Sequence, residues 1–177
     1  MKDKISVLIS EDKIQARLKE MGKQISEDYK GKRIHALGIL KGCYVFMADL
    51  LRYIDPSIEV SCDFLTISSY GDQTKSSGVV KLLTDLTIPI DHKDILVVED
   101  IVDTGKTMKY LLDNLNTRSP KSVKVCTFLD KPSRREVEVP TDYIGFEIPN
   151  QFVVGYGMDA AQIYRNLPYL GVMEEGE

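Results

Sequence analysis

Cysteine and histidine are scarce: 177 residues hold three Cys and two His. Cys43, Cys62 and Cys126 are odd in number, far apart and without a CxxC pair or a neighbouring histidine. That excludes a disulfide framework and a zinc site of ordinary spacing, and reads them as buried thiols. His35 lies inside an apolar run and His92 stands alone, so both are expected as packed residues rather than ligands. Seven Pro and 12 Gly are too few for a fibrous or low-complexity chain, and 43% hydrophobic residues are too many for disorder. Long apolar runs are missing too. No window approaches the roughly 18 residues a membrane helix needs, and Ile5 to Ile9 is too short for an export signal and is interrupted by Ser6. The expectation is a cytoplasmic protein with no membrane partner. Positive charge is in the minority, with 23 Lys plus Arg against 27 Asp plus Glu and a net charge of −4. That is the wrong sign for a dedicated nucleic-acid binder. What remains is an ordinary folded chain, read as a single domain over residues 1–177.

The patterning alternates strands with helices. Ser10 is placed to cap a helix with Glu11 and Asp12 in its first turn and Ile14, Leu18, Met21 and Ile25 at helical spacing, closed by Gly31. Arg33 to Leu40 reads as a strand, Lys41-Gly42 as a tight turn, and YVFMADLLRYI as a helix. Glu59 to Ser68 and Val79 to Leu83 are strand-like, with the polar SYGDQTKSSG between them as an exposed loop. Ile95 to Val98 is a continuous aliphatic quartet, the mark of a central parallel strand covered on both faces. A helix follows from Gly105 with Met108, Leu111, Leu112 and Leu115 on one side, then a strand from Val123 to Leu129. Shorter strands are expected at Ile144 to Ile148 and Phe152 to Tyr156, among Pro140, Pro149 and Pro168. The fold class is α/β.

Chemistry concentrates at residues 99 to 107, between the buried strand and its helix. In open α/β sheets ligands bind beyond the carboxyl ends of the strands, where a helix N-terminus points unpaired N–H groups outward. Thr104, Gly105, Lys106 and Thr107 can hold a phosphate there: the glycine lets the backbone approach, and the threonines add hydroxyl donors. A P-loop is rejected, because GKT would need glycine at position 100, which is Asp100. An anion cradle beside Glu99, Asp100 and Asp103 suits one ligand that is phosphate at one end and hydroxyl-bearing or transiently cationic at the other. A phosphorylated sugar meets both demands. A charged turn capping a helix is the plain structural alternative.

VVEDIVDTGKT resembles the phosphoribosyl-pyrophosphate signature of type I phosphoribosyltransferases. Leu40-Lys41-Gly42, Ser69-Tyr70-Gly71, Asp130-Lys131-Pro132, GFEIPNQFVVGYGMD and Tyr164-Arg165-Asn166-Leu167 follow in the order of the hypoxanthine-guanine branch of that family. The resemblance covers residues 35 to 170. It implies a central, mostly parallel sheet flanked by helices, a small hood and a mobile flap. It also implies purine salvage: a 5-phosphoribosyl group passes from 5-phosphoribosyl 1-diphosphate to N9 of hypoxanthine or guanine, giving IMP or GMP and pyrophosphate, with Mg2+ required and a homodimer or homotetramer as the working form.

By the same resemblance, Thr104 to Thr107 hold the 5′-phosphate, Glu99 and Asp100 face the ribose hydroxyls and the metal, and Asp103 is the general acid or base at N7. Lys41 and Gly42 form the pyrophosphate loop, in which a non-proline cis peptide turns amides toward the leaving group; Cys43 stands where relatives often carry another small residue. Arg165 neutralises pyrophosphate and Asp159 reaches a second magnesium through water. Lys131 has donors only, so it suits the O6 of an oxopurine and not the amino group of adenine. Phe152 stacks on the base and the backbone of Val153 meets its edge. Ser69 and Tyr70 belong to a lid that excludes water from a carbocation-like sugar. Without the resemblance, FVVGY reads as a core strand, Lys131 as a loop lysine, and Asp159 and Arg165 as surface charges. Two other readings are a nucleotide-sensing regulator, disfavoured by the acidic balance, and a phosphoacceptor domain, whose aspartates come from separate strands.

Overall fold

The computed structural model describes residues 4–70 and 79–173. Along the chain run β1 (Ile5–Ile9), α1 (Glu11–Asp28), β2 (Arg33–Leu40), α2 (Tyr44–Arg52), β3 (Glu59–Tyr70), β4 (Val79–Thr84) and β5 (Asp94–Val102). After them come α3 (Lys106–Asn116), β6 (Ser122–Asp130), a 3₁₀ turn (Pro132–Arg134), β7 (Tyr143–Glu147), β8 (Val153–Val154) and β9 (Leu170–Met173). The main sheet has the order β4-β3-β2-β5-β6-β7. Of its described strands β4 alone is antiparallel to its neighbour. The chain leaves the centre from β2 toward β4, then returns to β5 and proceeds toward β7. β2 and β5 are therefore the neighbours where the winding reverses, which opens a crevice at their carboxyl ends.

Period-two alternation sends successive strand residues into two apolar layers. Ile34, Ala36, Leu96 and Val98 pack with Ile14, Leu18, Met21 and Ile25 of α1 and Phe46, Met47 and Leu50 of α2. Leu37, Ile39, Ile95 and Val97 pack with Met108, Leu111, Leu112 and Leu115 of α3. The Ser10 carbonyl accepts the first helical N–H, from Ile14, but its side chain makes no capping bond, so the cap is backbone only. Cys43 and Cys126 are buried, and burial pushes both thiol pKa values up. Cys62 is exposed, contrary to the expectation. Val60, Cys62 and Phe64 alternate along one face of β3 and all are exposed. His35 is buried beside Ser61, whereas His92 is exposed in a turn at φ 57°.

A second sheet, β1-β9-β8, forms the hood. Ile5 pairs with Met173 and Val153 with Val172, both in antiparallel register. Only Val153–Val154 of the expected Phe152 to Tyr156 strand is regular. Gly155, Tyr156 and Gly157 turn the chain at positive φ.

Candidate active site

The acidic residues sit differently from the expectation: Glu99 and Asp100 belong to β5 itself, which runs on to Val102, rather than to the loop after it. The ladder to β6 holds them there, Glu99 opposite Thr127 and Val102 opposite Asp130. Glu99 is buried, and burial, reinforced by the charge of Asp100, pushes its carboxyl pKa well above the ordinary range. Its Oε1 accepts the Asp100 N–H at 3.2 Å.

Across the crevice β2 ends at a cis Leu40–Lys41 peptide, and Gly42 lies directly against the Asp100 carboxylate. Gly157, at φ +100°, packs on the Gly42 carbonyl, leaving no room there for a side chain. Beyond β5 the chain turns through Asp103 and Thr104 into Gly105, which is left-handed at φ 85° and starts α3. Only glycine takes that conformation at little cost, and a β-carbon would also overlap the Val137 carbonyl oxygen. Lys41, Gly42, Glu99, Asp100, Asp103, Thr104, Gly105 and Thr107 line one cavity of ≈ 280 Å³. Lys106 does not line it; its ammonium pairs with Glu136. Asp103 is half-buried, and its Oδ1 accepts from Arg134 Nε at 3.1 Å.

The remaining predicted residues approach from outside the cavity. Lys131 donates its backbone N–H to the Val102 carbonyl at 3.0 Å, and its Nζ to the Gln151 carbonyl at 2.8 Å. Burial pushes its pKa down, with the charge of Asp103 opposing. That ammonium therefore joins β6 to the segment bearing Phe152 and Val153. Phe152 is 60% exposed, which rules out a core role, while Val153 is buried. Arg165 donates to the Gly157 carbonyl at 2.8 Å and pairs with Asp159 at 2.6 Å. Gln162, which no sequence pattern marked, accepts from Arg165 at 3.2 Å and from Lys41 at 3.3 Å, and its N–H donates to Asp159 at 2.8 Å. It draws both candidate pyrophosphate cations together. Ser69 and Tyr70 end β3, paired with Val80 and Val79. Their side chains and the flap loop 71–78 lie outside the described residues.

Residues 10–161 match the phosphoribosyl transferase domain, and the chain belongs to that family. Among its relatives, hypoxanthine phosphoribosyltransferase of Escherichia coli is 51% identical over 173 residues, covering 97% of this chain and 96% of the relative. Hypoxanthine-guanine phosphoribosyltransferase of Bacillus subtilis is 48% identical over 168 residues, covering 95% and 92%. The bifunctional protein TilS/HprT of Listeria monocytogenes is 49% identical over 95% of this chain, which spans only 26% of that protein's length. Among solved structures, a hypoxanthine-guanine phosphoribosyltransferase of Bacillus anthracis with a HEPES molecule in its active site superposes with a TM-score of 0.91. It is 46% identical and covers 98% of this chain and 100% of its own. The fold is thus the type I phosphoribosyltransferase fold that the motif order implied.

Proposed function

We propose that this chain is a purine-salvage enzyme that transfers the 5-phosphoribosyl group of 5-phosphoribosyl 1-diphosphate to N9 of hypoxanthine or guanine, releasing pyrophosphate. The observation that carries the reading is the single cavity at the β2/β5 crevice, which sets a phosphate-sized helix N-terminus beside carboxylates and the Lys41-Gly42 turn. The sugar 5′-phosphate lies on Thr104, Gly105 and Thr107, with the α3 dipole favouring its charge. Lys106 extends the cradle through its backbone. Glu99 and Asp100 accept from the ribose hydroxyls, and the negative charge of the pair steadies the anomeric carbon as it becomes electron-poor. The bond from C1′ to the diphosphate oxygen breaks with its electrons leaving on pyrophosphate, where Lys41 and Arg165 meet the charge. N9 of the base then bonds C1′, and Asp103 takes or gives the proton at N7.

Lys131 donates to O6, Phe152 covers the base, and the Val153 backbone meets its edge. Aromatic stacking of this kind is worth about 1–3 kcal/mol. The donor set fits magnesium, which is commonly held by one or two carboxylates plus substrate phosphates. Glu99 and Asp100 provide two adjacent carboxylates, and Asp159 has lone pairs left for a water of a second ion. When bound, Mg2+ supplies positive charge to the departing diphosphate. Among the described residues no helix is long and apolar enough to cross a membrane. A cytoplasmic single-domain enzyme working as a homodimer or homotetramer completes the reading.

The test is incubation with magnesium, 5-phosphoribosyl diphosphate and a panel of free bases. IMP and GMP should form with stoichiometric pyrophosphate from hypoxanthine and guanine, and adenine should be refused. No nucleotide from any oxopurine would end the reading.

A further inference from the structure

The cradle is braced from behind by residues 134–137, which no motif singled out. The Arg135 side chain is 11% exposed and pairs with Asp130, 7% exposed, at the carboxyl end of β6. Its Nη1 donates to the Asp103 carbonyl at 2.8 Å. The next two residues continue the brace, since the N–H groups of Glu136 and Val137 both donate to the Thr104 carbonyl at 3.0 Å. In a trans peptide the C=O of one residue and the N–H of the next point in opposite directions. Carbonyls 103 and 104 drawn toward the brace therefore turn the N–H groups of Thr104 and Gly105 the other way, to the side where both residues line the cavity. Among the described residues neither N–H has a protein acceptor.

We infer that Arg135, anchored by Asp130, is a positioning residue that aims the Thr104 and Gly105 amides at the sugar phosphate; the inference rests on the function proposed above. A guanidinium suits the task because its planar fork reaches a carboxylate and a carbonyl at once, whereas an ammonium keeps the charge but loses the fork. Asp130 lies in the β6 ladder, so the loop is referenced to the sheet rather than to another loop. Preorganised amides need no rearrangement when the anion arrives, so the brace acts on sugar-phosphate affinity and not on the base.

Calorimetric binding of ribose 5-phosphate to the wild type, Arg135→Lys and Arg135→Ala, with thermal unfolding and both KM values, tests this. Arg135→Ala should weaken ribose 5-phosphate binding about tenfold and raise KM for the diphosphate in step, leaving KM for hypoxanthine within about twofold. Arg135→Lys should fold as the wild type does and fall between them; if the alanine variant does not fold, the lysine variant decides alone. A folded variant with wild-type affinity for ribose 5-phosphate would overturn the inference, as would equal losses toward sugar phosphate and base. A wild type that binds ribose 5-phosphate yet makes no nucleotide would defeat the proposed reaction, while the binding series would still decide the role of Arg135. A wild type that fails to bind it overturns both.

Discussion

Gly42 and Asp100 meet so closely that a β-carbon on the glycine would overlap the aspartate Oδ2. The Lys41-Gly42 turn and the carboxylate-bearing end of β5 are thus fitted to each other, with Gly157 closing on the Gly42 carbonyl from the far side. Gly42→Ala must push Asp100 out of place or unseat the turn. On the function proposed above, a misplacement of about 1 Å at this point costs ~10²-fold. Steady-state kinetics should show that loss in kcat/KM with secondary structure retained by circular dichroism.

Asp103 is held by Arg134 at 3.1 Å and keeps its side chain partly open to the cavity. Asp103→Asn preserves shape and removes the proton acceptor. Turnover should fall by ~10²-fold or more while KM for ribosyl diphosphate stays unchanged. Equal turnover in the two proteins would remove Asp103 as acid or base.

Lys131 spends one N–H on the Gln151 carbonyl and has two donors to spare. Lys131→Ala should weaken discrimination against adenine and raise KM for hypoxanthine by about tenfold, with sugar-phosphate affinity unaltered. Competition assays between the two bases measure this directly.

Asp28 accepts from the Tyr143 hydroxyl at 2.6 Å and pairs with Lys124 at 3.0 Å. The Tyr143 hydrogen bond first, then Lys124, holds its pKa below the ordinary carboxylate range against a smaller opposing effect of burial. A carboxyl whose pKa is lower in the folded than in the unfolded chain binds fewer protons when folded. Its stabilisation is therefore complete above the unfolded pKa of about 4 and is lost as pH falls through the lower folded value. Asp28→Asn should reduce Tm by about 2 °C at pH 7, and the gap should narrow and close as pH falls below the unfolded carboxylate range. Thermal unfolding across that range checks the sign.

What could be read from sequence was what lies close together along it. The quartet Ile95 to Val98 announced a strand covered on both faces, and the four apolar residues of α3 fell on its buried side. The continuation of β5 through Glu99 and Asp100 was hidden, because carboxylates are rare in strands and only the ladder to β6 keeps them there. β1 and β9 were hidden as well: each is short, and each finds its partner far along the chain. In the site, TGKT was legible because one turn supplies it. Gln162 and Arg135 were not, since their roles come from residues 121 and 32 positions away. The exposure of Cys62 was hidden too, because burial of a strand residue is decided by what packs on its face, which no local pattern encodes.

The hood has a consequence for how the two halves of the pocket hold up under stress. The proposed phosphate side is one strand, one turn and one helix in succession, held by the brace at residues 134–137, whereas Val153 keeps its place through β9, which is itself secured by β1. Partial denaturation should therefore blunt purine recognition before it touches sugar recognition. Amide hydrogen exchange would register this as earlier labelling at 153–154 and 170–173 than at 95–98, so the protein becomes undiscriminating before it becomes empty-handed.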